Sequence, residues 1–246
     1  MHDAETQLLE KHKSEIVSLW PAQTALLDLG CGAAEKSLLK LVEARAQGKR
    51  GVLHAVDVNG VMLSEARRNA DAAGIEVRTH SELMENVASL AALARDGADA
   101  VYFNIGANYA NFPVSFLDVI RSEMRPGDFL YLSAQLRGSD TAGIVAGYKT
   151  PGVRAIADGP LRLAGFRDGD FRRVVRLAGD TVETVAVAER VPRKLARIGV
   201  HAGDEFVTVR SRKPSLDELR SHLSAFRAKV WTNAEKSYAI AVASVI

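Results

Sequence analysis

The stretch TALLDLGCGAAEKSLLKLVEA, Thr24 to Ala44, decides the fold. A short apolar run stops at Gly30 and Gly32, and helical spacing begins at once. A strand that turns on two glycines into a helix places a ligand over the carboxyl ends of a parallel sheet. Glycine suits the turn because a backbone without a Cβ approaches a ligand closely.

The same rhythm extends on both sides. Upstream, Leu8, Leu9, Ile16, Val17 and Trp20 recur at helical spacing until Pro21 ends the helix. Downstream, VLHAVDV, IEVRTH, ADAVYFNIG and FLYLSAQL read as strands. Between them GVMLSEARRNADAAG, LMENVASLAALARDG and VSFLDVIRSEMRPGD read as helices. Strand and helix alternate to about residue 136, which predicts a parallel sheet covered on both faces. The alternation then breaks. FRRVVRLAGDTVETVAVAERV predicts a hairpin about Gly179 and Asp180, and DEFVTVRS another strand. After Pro214, SLDELRSHLSAF predicts a last helix and AKVWTNAEKSYAIAVASV two closing strands. The expected architecture is a doubly wound α/β sheet formed by 1–136 and 213–246, interrupted by an inserted α+β subdomain at 137–212.

Composition narrows the classes. With 47% hydrophobic and 25% charged residues, the 246-residue chain is that of a soluble protein with a core. A net charge of +2 gives no bulk attraction to nucleic acid or to an anionic membrane. No segment has the apolar length to span a bilayer, and the N-terminus lacks a signal pattern, so a cytoplasmic enzyme is expected. The lone Cys31 forms no intrachain disulfide, and Cys/His clusters of metal-binding type are absent from the sequence.

The second strand ends in Asp57, whose carboxylate suits two ribose hydroxyls. A dinucleotide fingerprint asks for a third glycine where Glu35 stands, and that negative charge repels a pyrophosphate at a helix start. Lys36 follows, placed to meet a carboxylate. Ribose and an amino-acid carboxylate without phosphate describe S-adenosylmethionine (SAM). The glycine run, Asp57 and the closing hairpin resemble the class I SAM-dependent methyltransferases, whose sheet is Rossmann-like.

A narrower resemblance follows. AETQLLEKHKSEIVSLWPAQTALLDLGCGAAEKSLLKLV is similar to the histidine-specific methyltransferases of ergothioneine biosynthesis, and the likeness runs from about Ala4 to the end, patchily through 155–200. It implies a donor site of Asp28, Gly30, Gly32, Lys36, Asp57, Val58, Ser81, Glu82 and Asn104. FNIGANYANFP resembles the family segment whose asparagine binds the substrate's amino-acid end, which puts Asn111 there. IVAGYKTPGV puts Tyr148 on a substrate-binding tyrosine, and DEFVTVRSRK puts Ser211 on a substrate-binding serine. Asn111 and Tyr148 are the residues expected to act at the reacting amine, with the acceptor between the fourth-strand loop and the inserted subdomain.

Three departures shape the functional expectation. The family's acidic adenine-reading position falls near Ser81 and Glu82. Its imidazole-reading glutamate falls on Val209, which accepts no hydrogen bond. Its chains start earlier, so a second copy or a partner protein is expected to complete the pocket. The expectation is methyl transfer to the nitrogen of a small amino acid or amine other than histidine. The alternatives are another small acceptor, through oxygen, carbon or a peptide-like group, and a SAM-binding protein without catalysis. Nucleic acid is not an expected substrate: no Asp-Pro-Pro-Tyr-like run follows the fourth strand.

Overall fold

Helix α1 (His2–Ser18) turns Leu8, Leu9, Ile16 and Val17 inward, all buried, so the periodic apolar face of the sequence is its packing face. In the computed structural model, which describes residues 2–138 and 141–246, the chain folds as two compact units. One comprises 1–136 with 216–246, and the other 137–215.

The first unit alternates strand and helix: β1 (Gln23–Leu29), α2 (Glu35–Ala46), β2 (Arg50–Val56), α3 (Gly60–Ala73), β3 (Val77–His80), α4 (Val87–Ala94), β4 (Ala100–Gly106), a 3-10 turn at Ala107–Asn111, α5 (Phe116–Glu123) and β5 (Phe129–Gln135). Its sheet runs β3-β2-β1-β4-β5 in parallel, and is completed by the antiparallel hairpin of β10 (Tyr238–Val245) and β9 (Phe226–Thr232). Both faces are packed. Leu27, Phe103 and Leu132 face one core, while Leu26, Tyr102 and Tyr131 face the other. Strands buried on both faces read as continuous apolar runs, which is why "ALLDL" and "AVYF" lack alternation. The chain leaves β1 for β2 on one side and later places β4 on the other. Such a reversal opens a crevice at the carboxyl ends of β1 and β4.

One helix is shorter than its pattern. The apolar run from Leu83 predicts an earlier start, but α4 begins at Val87. The Asn86 amide donates to Glu82 Oε2 at 3.0 Å, which ties the residue before the helix to the segment preceding it. Leu83, Met84 and Glu85, ahead of the helix, form part of a cavity wall.

The second unit holds α6 (Thr141–Gly147), α7 (Pro151–Ala164), β6 (Phe171–Ala178), β7 (Thr181–Ala188), α8 (Arg193–Ala196) and β8 (Glu205–Arg212). Its three strands form an antiparallel sheet, β6-β7-β8, with the β6–β7 turn at Gly179, φ +63°. This unit extends to Ser215. The Lys213 N–H donates to the Asp180 carbonyl at 2.6 Å, and the Arg137 N–H to the Pro214 carbonyl at 2.9 Å, so exit and entry are both tied to it. The chain then returns through α9 (Leu216–His222) to the first unit.

A buried carboxylate fastens the start of β5. Asp128 accepts from Arg95 at 2.6 Å, from the Arg125 N–H at 2.7 Å and from the Val101 N–H at 2.8 Å. Asp128→Ala leaves a half-buried guanidinium and two backbone donors unmet. Urea denaturation is expected to show a loss of about 3–5 kcal/mol, the range for breaking a buried pair from one side. A loss under about 1 kcal/mol would mean that the pair holds nothing.

Candidate functional site

The glycine loop after β1 is held from beneath by a chain of buried polar groups. Asp28 and Asn104 are register partners on β1 and β4. Asp28 Oδ2 accepts from Ser37 Oγ at 2.7 Å, and Oδ1 from Asn104 Nδ2 at 2.5 Å. Asn104 Oδ1 accepts from Lys40 Nζ at 3.1 Å, and that ammonium lies 3.6 Å from the centre of the Tyr131 ring. Burial raises the Asp28 carboxyl above its usual range and pulls Lys40 down to about 8, each partly countered by the other's charge.

Above this network the loop opens. The Gly30 and Cys31 N–H groups both donate to the Val56 carbonyl at 2.9 Å, and Asp57 Oδ2 accepts from the Gly32 N–H at 3.0 Å. Gly30 has φ +75°, and a Cβ there would fall 2.5 Å from Asn108 Nδ2. That amide donates to the carbonyls of Leu29 and Gly30, so both the torsion and the space call for glycine. Gly32 has φ +52° with nothing within 4 Å of a Cβ, so its bare face looks into open space. Ala34 takes φ 59°, a left-handed turn that costs a non-glycine residue about 1 kcal/mol and directs α2 away from the loop.

Two cavities share Gly30 as a wall. The larger, about 370 Å³, is bounded by Glu5, Asp28, Gly32, Lys36, Asn104 and Tyr131 among others. The smaller, about 200 Å³, is bounded by Asp57, Val58, Glu82, Leu83, Met84 and Phe112 among others and is largely apolar. One side of the loop thus offers charged groups, and the other a slot with an acid at its mouth. Burial, with the charges of Asp28 and Asp57 nearby, drives the Cys31 thiol pKa far up, so it stays protonated and unreactive.

The structure gathers most of the donor residues named from sequence. Asp28, Gly30, Gly32, Lys36 and Asn104 line the larger cavity, and Gly30, Asp57, Val58 and Glu82 the smaller. Ser81 is exposed and lines neither. Asn111, also exposed, closes the 3-10 turn and lines neither, whereas Asn108 grips the loop. In the second unit Tyr148 and Ser211 are buried and share a neighbour: Lys213 donates to Ser211 Oγ at 3.0 Å and lies 5.1 Å from the centre of the Tyr148 ring. Val209 packs in the apolar cluster of Tyr148, Ile144 and Val182.

Glu5, Lys40, Asn108 and Lys213 escape sequence reasoning. Lys40 left a signal, since it falls on the buried stripe of α2 with Ser37, Leu41 and Ala44. Glu5 left none: the pattern of α1 says which residues face inward but not that an acid there meets Lys36.

The comparison with family models identifies a class. Residues 1–155 match the family model described as "Histidine-specific methyltransferase, SAM-dependent". No curated protein matches the chain. Among solved structures, a possible exported protein from Bordetella parapertussis superposes with TM-score 0.54 at 12% identity, covering 98% of this chain and 67% of its own. That likeness is one of fold. The sugar N-methyltransferase KedS8 from Streptoalloteichus sp. is also similar, with TM-score 0.48 at 15% identity over 96% of this chain and 87% of its own.

The buried lysine gives the site a pH signature. Lys40 releases its proton near pH 8 in the fold and near 10.5 when unfolded, so between these values the unfolded chain binds more protons and stability rises with pH. Relative to Lys40→Met, wild-type stability in urea is expected to gain up to about 3 kcal/mol from pH 8 to 10.5. A flat or falling difference would show that the ammonium is not held in a depressed state.

Proposed function

The chain belongs to the histidine-specific, SAM-dependent methyltransferase family, and from that premise we propose that it methylates the nitrogen of a small amino acid other than histidine. SAM is the donor that the family implies, and the residues at the crevice fit it. Asp57 suits two ribose hydroxyls, the apolar slot beside it suits a purine, and the charged cavity beyond Gly30 suits an amino-acid end. When bound, SAM supplies a methyl group on a sulfonium, already activated toward displacement.

The observation that carries the acceptor reading is Lys213. The residue is 3% exposed, its ammonium donates to the Ser211 hydroxyl, and among the described residues it has no carboxylate partner. A buried cation without a counter-charge is costly, and an acceptor carboxylate supplies one. Ser211 and Tyr148 beside it provide a second polar contact and an aromatic wall. Val209 speaks against histidine as the acceptor. It is packed among Tyr148, Ile144 and Val182, so a ring N–H brought there would meet no acceptor from it. Asn111, exposed at the end of its turn, is assigned to the acceptor's amino-acid end through the family segment alone.

The chain's own chemical task is modest. The acceptor nitrogen must present a lone pair, and a poorly solvated pocket lowers an amine's pKa toward that state. Tyr148 and Ser211 then orient the nucleophile; alignment is the main source of acceleration for such a displacement. A dedicated base is not required.

Turnover with SAM across free amino acids, their amides and simple amines tests the reading. The expected pattern is activity on a free amino acid that falls at least about tenfold in kcat/KM when its carboxylate is amidated, the worth of a charge-assisted hydrogen bond. Lys213→Met is expected to abolish that preference through KM while leaving SAM affinity unchanged. Histidine as the best acceptor, or equal rates on acid and amide, would overturn the proposal.

A further inference from the structure

Two residues in the wall of the larger cavity carry a buried polar atom that the described residues do not satisfy. Glu5, on α1, is 2% exposed. Its Oε2 accepts from Lys36 Nζ, and from the Tyr238 hydroxyl at 3.1 Å. Its Oε1 has no partner. The Tyr131 hydroxyl, on the same cavity, has none either, though Tyr131 is 1% exposed.

An unmet carboxylate oxygen in the interior is among the least tolerable states of a folded chain, and native structures complete such a group with a water, an ion or a ligand. Removal of the polar group would be the simple remedy if α1 only packed against the sheet. Instead Glu5 is fixed from two directions through Oε2, and Oε1 is left over. Lys36 does not neutralise the need: it engages one oxygen and leaves the second an acceptor without a donor among the described residues.

The identity of the missing donor follows from where the cavity lies. It adjoins the Asp57 slot across Gly30, so a ligand whose ribose sits at Asp57 sends its other end toward Glu5. In SAM that end carries an α-ammonium group, a cation with three N–H donors. We propose that Glu5 Oε1 receives the α-ammonium of the donor's methionine moiety, which makes α1 part of the donor site and Glu5 a selector for the intact amino acid. This rests on the SAM reading of the crevice and adds a residue that neither the glycine loop nor Asp57 implies. Because Glu5 lies on the first helix, donor binding also ties α1 to the loop after β1.

The test is titration calorimetry with S-adenosylhomocysteine and with its deaminated analogue, in which hydrogen replaces the α-amino group. Wild type is expected to bind the amino form at least about tenfold more tightly, the worth of one charge-assisted hydrogen bond. Glu5→Gln is expected to lose most of that difference by weakening the amino form while leaving the deaminated analogue unchanged. Equal binding of both ligands by wild type, which needs no variant, would overturn the inference while leaving the donor site intact. So would Glu5→Gln weakening both ligands alike, which marks a structural role. Failure of wild type to bind either ligand would overturn the donor reading itself, and this inference with it.

Discussion

The structure depends on one buried contact, the pairing of Asp28 on β1 with Asn104 on β4. These residues face each other where the sheet reverses direction, the point at which a doubly wound fold opens a crevice. An acid there is costly to bury. Ser37 and Asn104 offset the cost with hydrogen bonds, and Lys40 adds a nearby positive charge. The result joins β1, α2, β4 and the Tyr131 ring of β5 in one polar network. The glycine loop rests on it. Held there, the loop keeps left-handed turns at Gly30, Gly32 and Ala34 that would otherwise relax.

That foundation explains the division of labour at the crevice. Asp28 and Asn104 bond each other and so position the loop from beneath. Asp57 bonds the Gly32 and Asn59 N–H groups while keeping lone pairs for hydroxyls. Lys36 is engaged by Glu5, so the charge at the larger cavity belongs to a pair. The second unit shows a similar economy on a smaller scale: Ser211, Lys213 and Tyr148 form a compact group beside an apolar cluster that includes Val209.

How much was legible in sequence follows the range of the forces involved. The strand and helix order was readable because periodicity is local, and so was the glycine turn, because φ > 0 leaves few residue choices. Asp57 was readable because its distance from the loop is set by one strand–helix–strand unit. Contacts across the fold were not. Glu5 meets Lys36 and Tyr238 only once α1 has packed, and Asn108 reaches Gly30 from 78 residues away. Asn111 and Ser81 show the complementary limit. Motif matching carries a residue to the right neighbourhood, but the turn beyond β4 brings Asn108 to the loop, and the exposed residue after His80 lines neither cavity.

The assignment of the crevice to the donor is tested most directly by calorimetric titration of SAM into the wild-type chain and into Asp57→Ala. One molecule bound per wild-type chain, with affinity at least about tenfold weaker in an Asp57→Ala protein of unchanged circular dichroism, is the expected result. Equal affinity in the two proteins would place the donor elsewhere, and no binding to wild type would mean that the crevice has lost its ligand.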